Sequence, residues 1–328
     1  MLVGLGVVVY LVDRAGPREV WASIRELGWR LLIVLAVPFS LAVVLDALGW
    51  RVLLREHGVP LTVLAQARLA GEAVNLSTPT ASVGGEPLKA YFLRPYTPLS
   101  DGLASVIVDK TVVLASQVLL LLAGLYLGAR IVPLSHPLMR GMGGILGVEL
   151  LAIGAFVLVQ LLGVFGGGGR ILGRLGFGRV ERYQDGLNAV DRSLAVFYRR
   201  RRGRLLVSAL LHAAAWASGA LEVYLFLYFL GIDVSPATAL VIEAFASAVK
   251  FASFMIPASL GALEGGYVFI FGALGLGGPL ALSYTLARRL REAAAAGLGF
   301  LCLAAMRLRS RPAEWPGVAQ GAEERPDR

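Results

Sequence analysis

The chain has 328 residues, 57% of them hydrophobic and 16% charged, and its mean hydropathy is +0.71. Soluble domains hold about 45–50% apolar and about 25% charged residues, so this composition excludes a soluble globular protein and points to an integral membrane protein with several spans. The formal net charge of +9 would suggest nucleic acid in a soluble domain, but here the arginines gather between apolar runs, which marks topology rather than a nucleic-acid partner.

The first twelve residues, MLVGLGVVVYLV, are apolar. As helix they cover about 16 Å, short of the roughly 30 Å hydrocarbon core. They lack a basic leading region and a small-residue cleavage site, and they read as the end of a first span. Five runs are long and apolar enough to cross: residues 31–50, 102–128, 141–169, 205–230 and 279–306. Residues 170–204 carry ten arginines against three acidic residues, including Arg199, Arg200, Arg201 and Arg202 in one block. The positive-inside bias places this linker in the cytoplasm. Within it Val180, Tyr183, Leu187, Val190, Leu194 and Phe197 recur at helical spacing, which predicts an amphipathic helix on the cytoplasmic face. With the arginine block it offers a surface for anionic lipid, or simply a basic loop that sets topology.

Two sets of residues break the apolar runs in the same rhythm. Pro79, Glu86 and Lys110 form the first, and a shift of 178 residues aligns them with Pro257, Glu264 and Arg288. The same shift aligns Asn75 with Ser253 and Tyr91 with Phe269, whereas Gly84 and Gly85 stand opposite Ala262 and Leu263. A charge at the centre of a spanning helix costs roughly 3 kcal/mol on insertion scales and usually faces a cavity, a partner or a transport path. Counting crossings from a cytoplasmic linker, each Pro falls in a segment that enters the membrane and returns, one from each side. The expected fold is therefore all-α: a polytopic helical membrane protein with inverted repeats and two re-entrant broken-helix hairpins. Its membrane domain covers residues 1–306, with repeats at about 30–130 and 204–306, a linker at about 170–204 and a polar cytoplasmic tail at 307–328.

Two roles are open to the paired charges. Glu86 with Lys110 and Glu264 with Arg288 can be buried ion pairs that fix each hairpin to its following span, or they can line a cavity that receives a polar head group. The candidate lining set is Asn75, Pro79, Gly84, Gly85, Glu86, Lys89, Asp109, Lys110, Pro257, Gly261, Glu264, Arg288 and Glu292. Glu72, Glu243, Lys250 and Arg289 are further ionisable groups nearby; Glu243 and Lys250 share a helix face, and Lys89, Arg94 and Arg289 are expected to snorkel or face water. Half-helices starting after Pro79 and Pro257 would present free N–H groups suited to a phosphate. Gly143 with Gly147, and Gly261 with Gly265, have the spacing of close helix packing. His57, His136 and His212 are far apart and Cys302 is the only cysteine, so no metal site and no disulfide is expected. The glycine run 166–169 lacks the Gly-Lys-Ser/Thr ending of a phosphate loop.

The span ending Leu48, Gly49, Trp50 and Arg51, the segment 75–93 with Pro79, Gly84, Gly85, Glu86 and Lys89, and the segment 256–275 leading to Arg288 together resemble one family. It is the lysylphosphatidylglycerol synthase transmembrane, or flippase-like, family, and the resemblance covers nearly the whole chain. It implies a multi-pass protein of the bacterial or archaeal cytoplasmic membrane, while counting crossings from the basic linker puts the C-terminus in the cytoplasm. In the synthetases the membrane part moves aminoacylated lipid between leaflets and a separate soluble domain transfers the lysyl group. Only a polar tail of 22 residues follows Met306, so lysyltransferase activity is not expected. Many relatives carry an arginine shortly after the first Gly-Gly pair, where this chain has Lys89, which bears on head-group preference. The expectation is a lipid flippase or transporter for a polar-headed lipid or lipid-linked intermediate, built around Glu86, Lys110, Glu264 and Arg288, with no cofactor and with membrane lipids as partners. The alternatives are a membrane enzyme acting on a phospholipid or polyprenyl lipid with Glu86 or Asp109 as acid or base, and an accessory subunit of lipid-modifying or glycosyl-transfer enzymes.

Overall fold

A computed structural model describes residues 16–54, 58–78, 83–163, 184–200 and 202–309, with isolated positions 6, 10, 11 and 13 before them. The described residues form eleven α-helices and one 3-10 turn, with no strand: α1 (Pro17–Leu27), α2 (Arg30–Leu53), α3 (Leu61–Ser77), α4 (Glu86–Phe92), α5 (Leu99–Gly128), α6 (Pro137–Leu161), α7 (Gln184–Arg200), α8 (Arg202–Phe229), α9 (Pro236–Ala252), the turn Pro257–Ser259, α10 (Ala262–Ala273) and α11 (Gly278–Arg309).

Four helices, α2, α5, α6 and α8, are long and apolar enough to cross a membrane. The fifth expected crossing exists as the 32-residue α11, but Arg288, Arg289, Arg291 and Glu292 at its middle keep it outside that group by composition. The run expected to cross at 141–169 is helical as Pro137–Leu161, and it starts earlier for a local reason. Pro137 supplies a preset φ at the first helical position, and the His136 ring accepts the Leu138 N–H at 3.1 Å as the N-cap. The helix α1 was not foreseen. Gly16 turns the chain at φ 89°, Pro17 opens the helix, and Val20 and Leu27 are buried against the bundle.

Hydrophobic burial does not hold spanning helices together in lipid, so close approach and polar contacts must. Here α2 runs along α8 and α3 along α11, while α9 sits among α5, α8 and α10. The glycines that permit these approaches are not those with the expected spacing. Gly143, Gly147 and Gly265 have open space where a side chain would begin, whereas a methyl group on Gly124 would strike Ala244, one on Gly85 the Gly71 backbone, and one on Gly299 the Leu69 carbonyl.

The order of helix lengths repeats. Helices of 24, 17, 7 and 30 residues (α2 to α5) are answered by helices of 28, 17, 12 and 32 (α8 to α11). The second interruption is seen in full: α9 stops at Ala252, and Ala258 and Ser259 take left-handed φ values of 52° and 50° in the turn beginning at Pro257. The first falls between Ser77 and Glu86, and Pro79 itself lies outside the described residues. The two interruptions approach each other. Leu76 and Ser77 from α3 face Ala258 and Leu260 across a space of about 220 Å³, closed by Arg289 and Glu292.

The amphipathic helix of the linker forms as α7, but its stripe packs inward. Val190, Leu194 and Phe197 are buried with Leu53, Ala104, Val108 and Val112. Ser193 donates to Asp101 at 2.6 Å and Tyr198 to Gln160 at 2.7 Å, so α7 is bound to α5 and α6 by polar contacts as well. Val180, Tyr183, Arg201 and the side chains of Arg199 and Arg200 lie outside the described residues, and Arg202 is exposed.

Candidate functional site

Helices α2, α3, α5, α6, α8, α9 and α11 line an open cavity of about 720 Å³. Its lining is divided in character. Five acidic residues (Asp46, Glu72, Glu222, Glu243, Glu292) and five basic ones (Arg68, Lys110, Lys250, Arg288, Arg291) meet an apolar lining that includes Phe39, Val43, Leu114, Val148, Phe156, Phe251 and Phe254. Most of these charges are paired, but among the described residues the Glu222 carboxylate and the Nε atoms of Arg288 and Arg291 have no hydrogen-bond partner, and Lys250 has none either. Lys250, in the last turn of α9, is exposed, lines the cavity and makes no ion pair or hydrogen bond among the described residues. Glu222 is 1% exposed; Arg291 Nε lies 3.3 Å from it, yet its carboxylate oxygens accept no hydrogen bond among the described residues.

The first hairpin is pinned by Glu86 at the start of α4. Its carboxylate meets Lys110 of α5 at 3.5 Å, Lys89 at 3.1 Å and the Asn75 amide at 3.3 Å, while Asn75 Oδ1 accepts the Gly85 N–H at 2.8 Å. Lys89 does not face water as expected. It is 4% exposed and bridges Glu86 to Glu72, 3.3 Å away on α3. Gly71 gives it room, since a side chain there would collide with the Lys89 stem. Arg94 is exposed, with its guanidinium over the Tyr91 ring.

The second hairpin corrects the expected pairing. Glu264 does not meet Arg288: its partner is Arg289, at 2.7 Å, and its second oxygen accepts the Gly261 N–H at 2.8 Å. Arg289, expected to face water, also reaches Glu292 at 2.7 Å and the Ala258 carbonyl at 2.7 Å, so it holds the broken turn to α11. Arg288 points the other way, to Glu243 of α9 at 2.8 and 3.2 Å, with Tyr267 and Tyr284 hydroxyls beside it. Glu243 thus partners Arg288, not Lys250. At both hairpins an amide near the helix start, that of Gly85 or Gly261, is taken by the chain's own Asn75 or Glu264. Neither amide is open to a phosphate.

A third cluster joins helices that sequence reasoning did not connect. Arg68 donates to Asp46 at 3.0 Å and to Asp109 at 3.1 Å. The same two carboxylates flank the His212 ring, at 2.7 Å from Nδ1 and 3.0 Å from Nε2. Gly49 makes space for that ring, because a side chain there would overlap the imidazole. Nearby, the Trp50 indole donates to Ser105 at 3.2 Å and ties α2 to α5.

The family model described as lysylphosphatidylglycerol synthase TM region matches residues 1–299. The chain belongs to this family. It is a membrane protein by that membership and by its apolar helices. Comparison with curated proteins and with solved structures finds no match.

In this family member the structure divides the candidate residues into groups. Lys110, Arg288 and Glu292 line the cavity. Asn75, Gly85, Glu86 and Lys89 fasten the first hairpin, and Gly261 and Glu264 the second, with Gly84 in the turn before α4 and Pro257 opening the 3-10 turn. Asp109 stands behind the cavity wall in the His212 cluster. Among the described residues, no group of three His, Cys, Asp or Glu side chains is placed to hold a metal ion. Asp46, Arg68, His212, Glu222 and Arg291 were missed. A usable signal was present for three of them: Asp46 interrupts the run 31–50, and His212 and Glu222 interrupt 205–230, each a polar group inside an apolar span like Lys110.

Proposed function

We propose that this protein moves a polar-headed lipid or lipid-linked intermediate between membrane leaflets through the charged cavity. The observation that supports this reading is the cavity's composition: ten ionisable side chains and an apolar lining share one space, with Lys250 and Glu222 left without hydrogen bonds among the described residues. A head group crossing hydrocarbon unaccompanied would leave its charge unsolvated, at a cost of several kcal/mol or more. Fixed charges of both signs replace that lost water, and the apolar lining suits the chains. In this reading the two interrupted segments are re-entrant hairpins of an inverted repeat that opens to opposite sides, with residues 170–204 and the C-terminus in the cytoplasm of a bacterial or archaeal cell.

The test is movement of head-group-labelled phospholipid in vesicles reconstituted with purified protein, read from the label's accessibility to an external quencher. Lys250→Gln combined with Glu222→Gln is expected to slow the protein-dependent rate at least tenfold while the purified protein elutes as wild type. An unchanged rate in the double variant would refute the role given to the cavity.

A further inference from the structure

We propose that Asp46, Arg68, Asp109 and His212 form a proton-binding site in the cavity wall, and that this proton is the ion coupled to lipid movement. The coupling rests on the transport reading above, whereas the binding site rests on geometry alone.

The four side chains form a closed ring. Arg68 donates one amino group to Asp46 Oδ2 and the other to Asp109 Oδ2, at 3.0 and 3.1 Å. The remaining oxygens, Asp46 Oδ1 and Asp109 Oδ1, lie 2.7 and 3.0 Å from the two nitrogens of His212. A neutral imidazole has one N–H and one lone pair, so it satisfies only one of two carboxylates. Its other nitrogen would present a lone pair to a carboxylate oxygen at hydrogen-bond distance, which is repulsive. One added proton removes the conflict: an imidazolium donates to both sides, and two carboxylates, a guanidinium and an imidazolium sum to zero charge. Without that proton the cluster carries one negative charge that none of its four members compensates, at a largely buried site where an unpaired ion is destabilising.

Further charges act on the ring from neighbouring elements: Lys89 of α4 on Asp109, and Glu72 of α3 and Glu86 of α4 on Arg68, with Lys89 itself held by Glu72 and Glu86. Around His212 on α8, helix α2 contributes Asp46, α5 contributes Asp109 with Lys110 beside it in sequence, α3 contributes Arg68, and α9 brings Glu243 against Gly219, two turns farther along α8. Lys110 is engaged by Glu86, Glu243 by Arg288, and among the described residues α7 contributes no partner to the ring. Access is one-sided. His212 is fully buried, while Asp46 has 22% of its side chain exposed and lines the cavity with Arg68. A proton therefore passes between cavity water and Nδ1 through the Asp46 carboxylate.

The ring connects α2, α3, α5 and α8, and α3 is the first arm of the first hairpin. Its protonated form locks that hairpin to three neighbouring helices; release of the proton sets one carboxylate against the ring nitrogen and loosens the lock. Proton occupancy is thereby tied to the position of the hairpin that borders the cavity.

Two measurements test this separately. A chain with His57→Gln and His136→Gln keeps His212 as its sole histidine, and its histidine-labelled NMR spectrum in lipid nanodiscs at neutral pH is expected to show an imidazolium with both nitrogens protonated. A neutral ring with a single N–H would overturn the proton site whatever the transport result. In reconstituted vesicles an imposed pH gradient is expected to change the wild-type rate of lipid movement at least threefold, and His212→Gln to reduce that ratio to about one. Wild-type movement that ignores the gradient would overturn the coupling while leaving lipid transport standing. Absence of any wild-type movement would refute the transport reading and the coupling with it, and the NMR spectrum would still decide the proton site.

Discussion

Replacing Glu243 by alanine strands a buried cation, and the size of the effect follows from what Arg288 would keep. In the native protein Arg288 is 7% exposed and makes two hydrogen bonds to Glu243, itself 2% exposed. After Glu243→Ala its remaining partners are the Tyr267 and Tyr284 hydroxyls and, at 3.9 Å, Glu292. Breaking a buried ion pair from one side typically costs about 3–5 kcal/mol, because the surviving charge is left uncompensated. At about 2 °C per kcal/mol for a chain of this size, the melting midpoint of the detergent-solubilised protein should fall by about 6–10 °C. Arg288→Met added to Glu243→Ala removes the stranded charge, so the double variant should recover more than half of the loss. The assay is a thermal ramp followed by size-exclusion detection of folded protein. A double variant as unstable as the sum of the two single ones would refute the argument, since the penalty would then not arise from an unpaired charge.

The corrected pairing of the second hairpin can be checked by double-mutant cycles: Glu264→Gln should couple to Arg289→Met by at least 1 kcal/mol in thermal stability and be additive with Arg288→Met to within about 0.5 kcal/mol. Gly85→Ala should lower the melting midpoint, because its new methyl group overlaps the Gly71 backbone and overpacking costs about 1–3 kcal/mol; Gly143→Ala, which meets open space, should leave the midpoint unchanged. Asn75→Ala strips the Gly85 N–H and Glu86 of a shared partner, and the orphaned amide should cost about 1–3 kcal/mol in the same assay. Glu86→Gln is expected to destabilise less than Asn75→Ala, as the amide keeps the Asn75 hydrogen bond, Lys89 retains Glu72 and Lys110, 27% exposed, is compensated by solvent.

What could be read along the chain was whatever local chemistry determines. Apolar length set the spans at α2, α5, α6 and α8. Proline 257 marked an interruption because its ring removes a helix hydrogen bond and clashes with the preceding turn. The 178-residue rhythm picked out Glu86 and Glu264, each tethered beside an interruption between helices, and the periodic stripe of the linker located α7. Even here the reading stopped at the element: the stripe did not say that its partner would be α5.

The sequence by itself determined an all-helical membrane protein with two interrupted segments and costly charges placed beside them. Only the tertiary structure decided which charge meets which. Arg288 and Arg289 are neighbours in sequence but point about 100° apart around a helix of 3.6 residues per turn, so one faces α9 and Glu243 while the other faces the turn and Glu264. The partners of His212 lie 166 and 103 residues away on different helices, beyond the reach of any local pattern. Ion pairs and hydrogen bonds extend only about 3 Å, and which side chains come within that distance is fixed by the rotation and approach of whole helices.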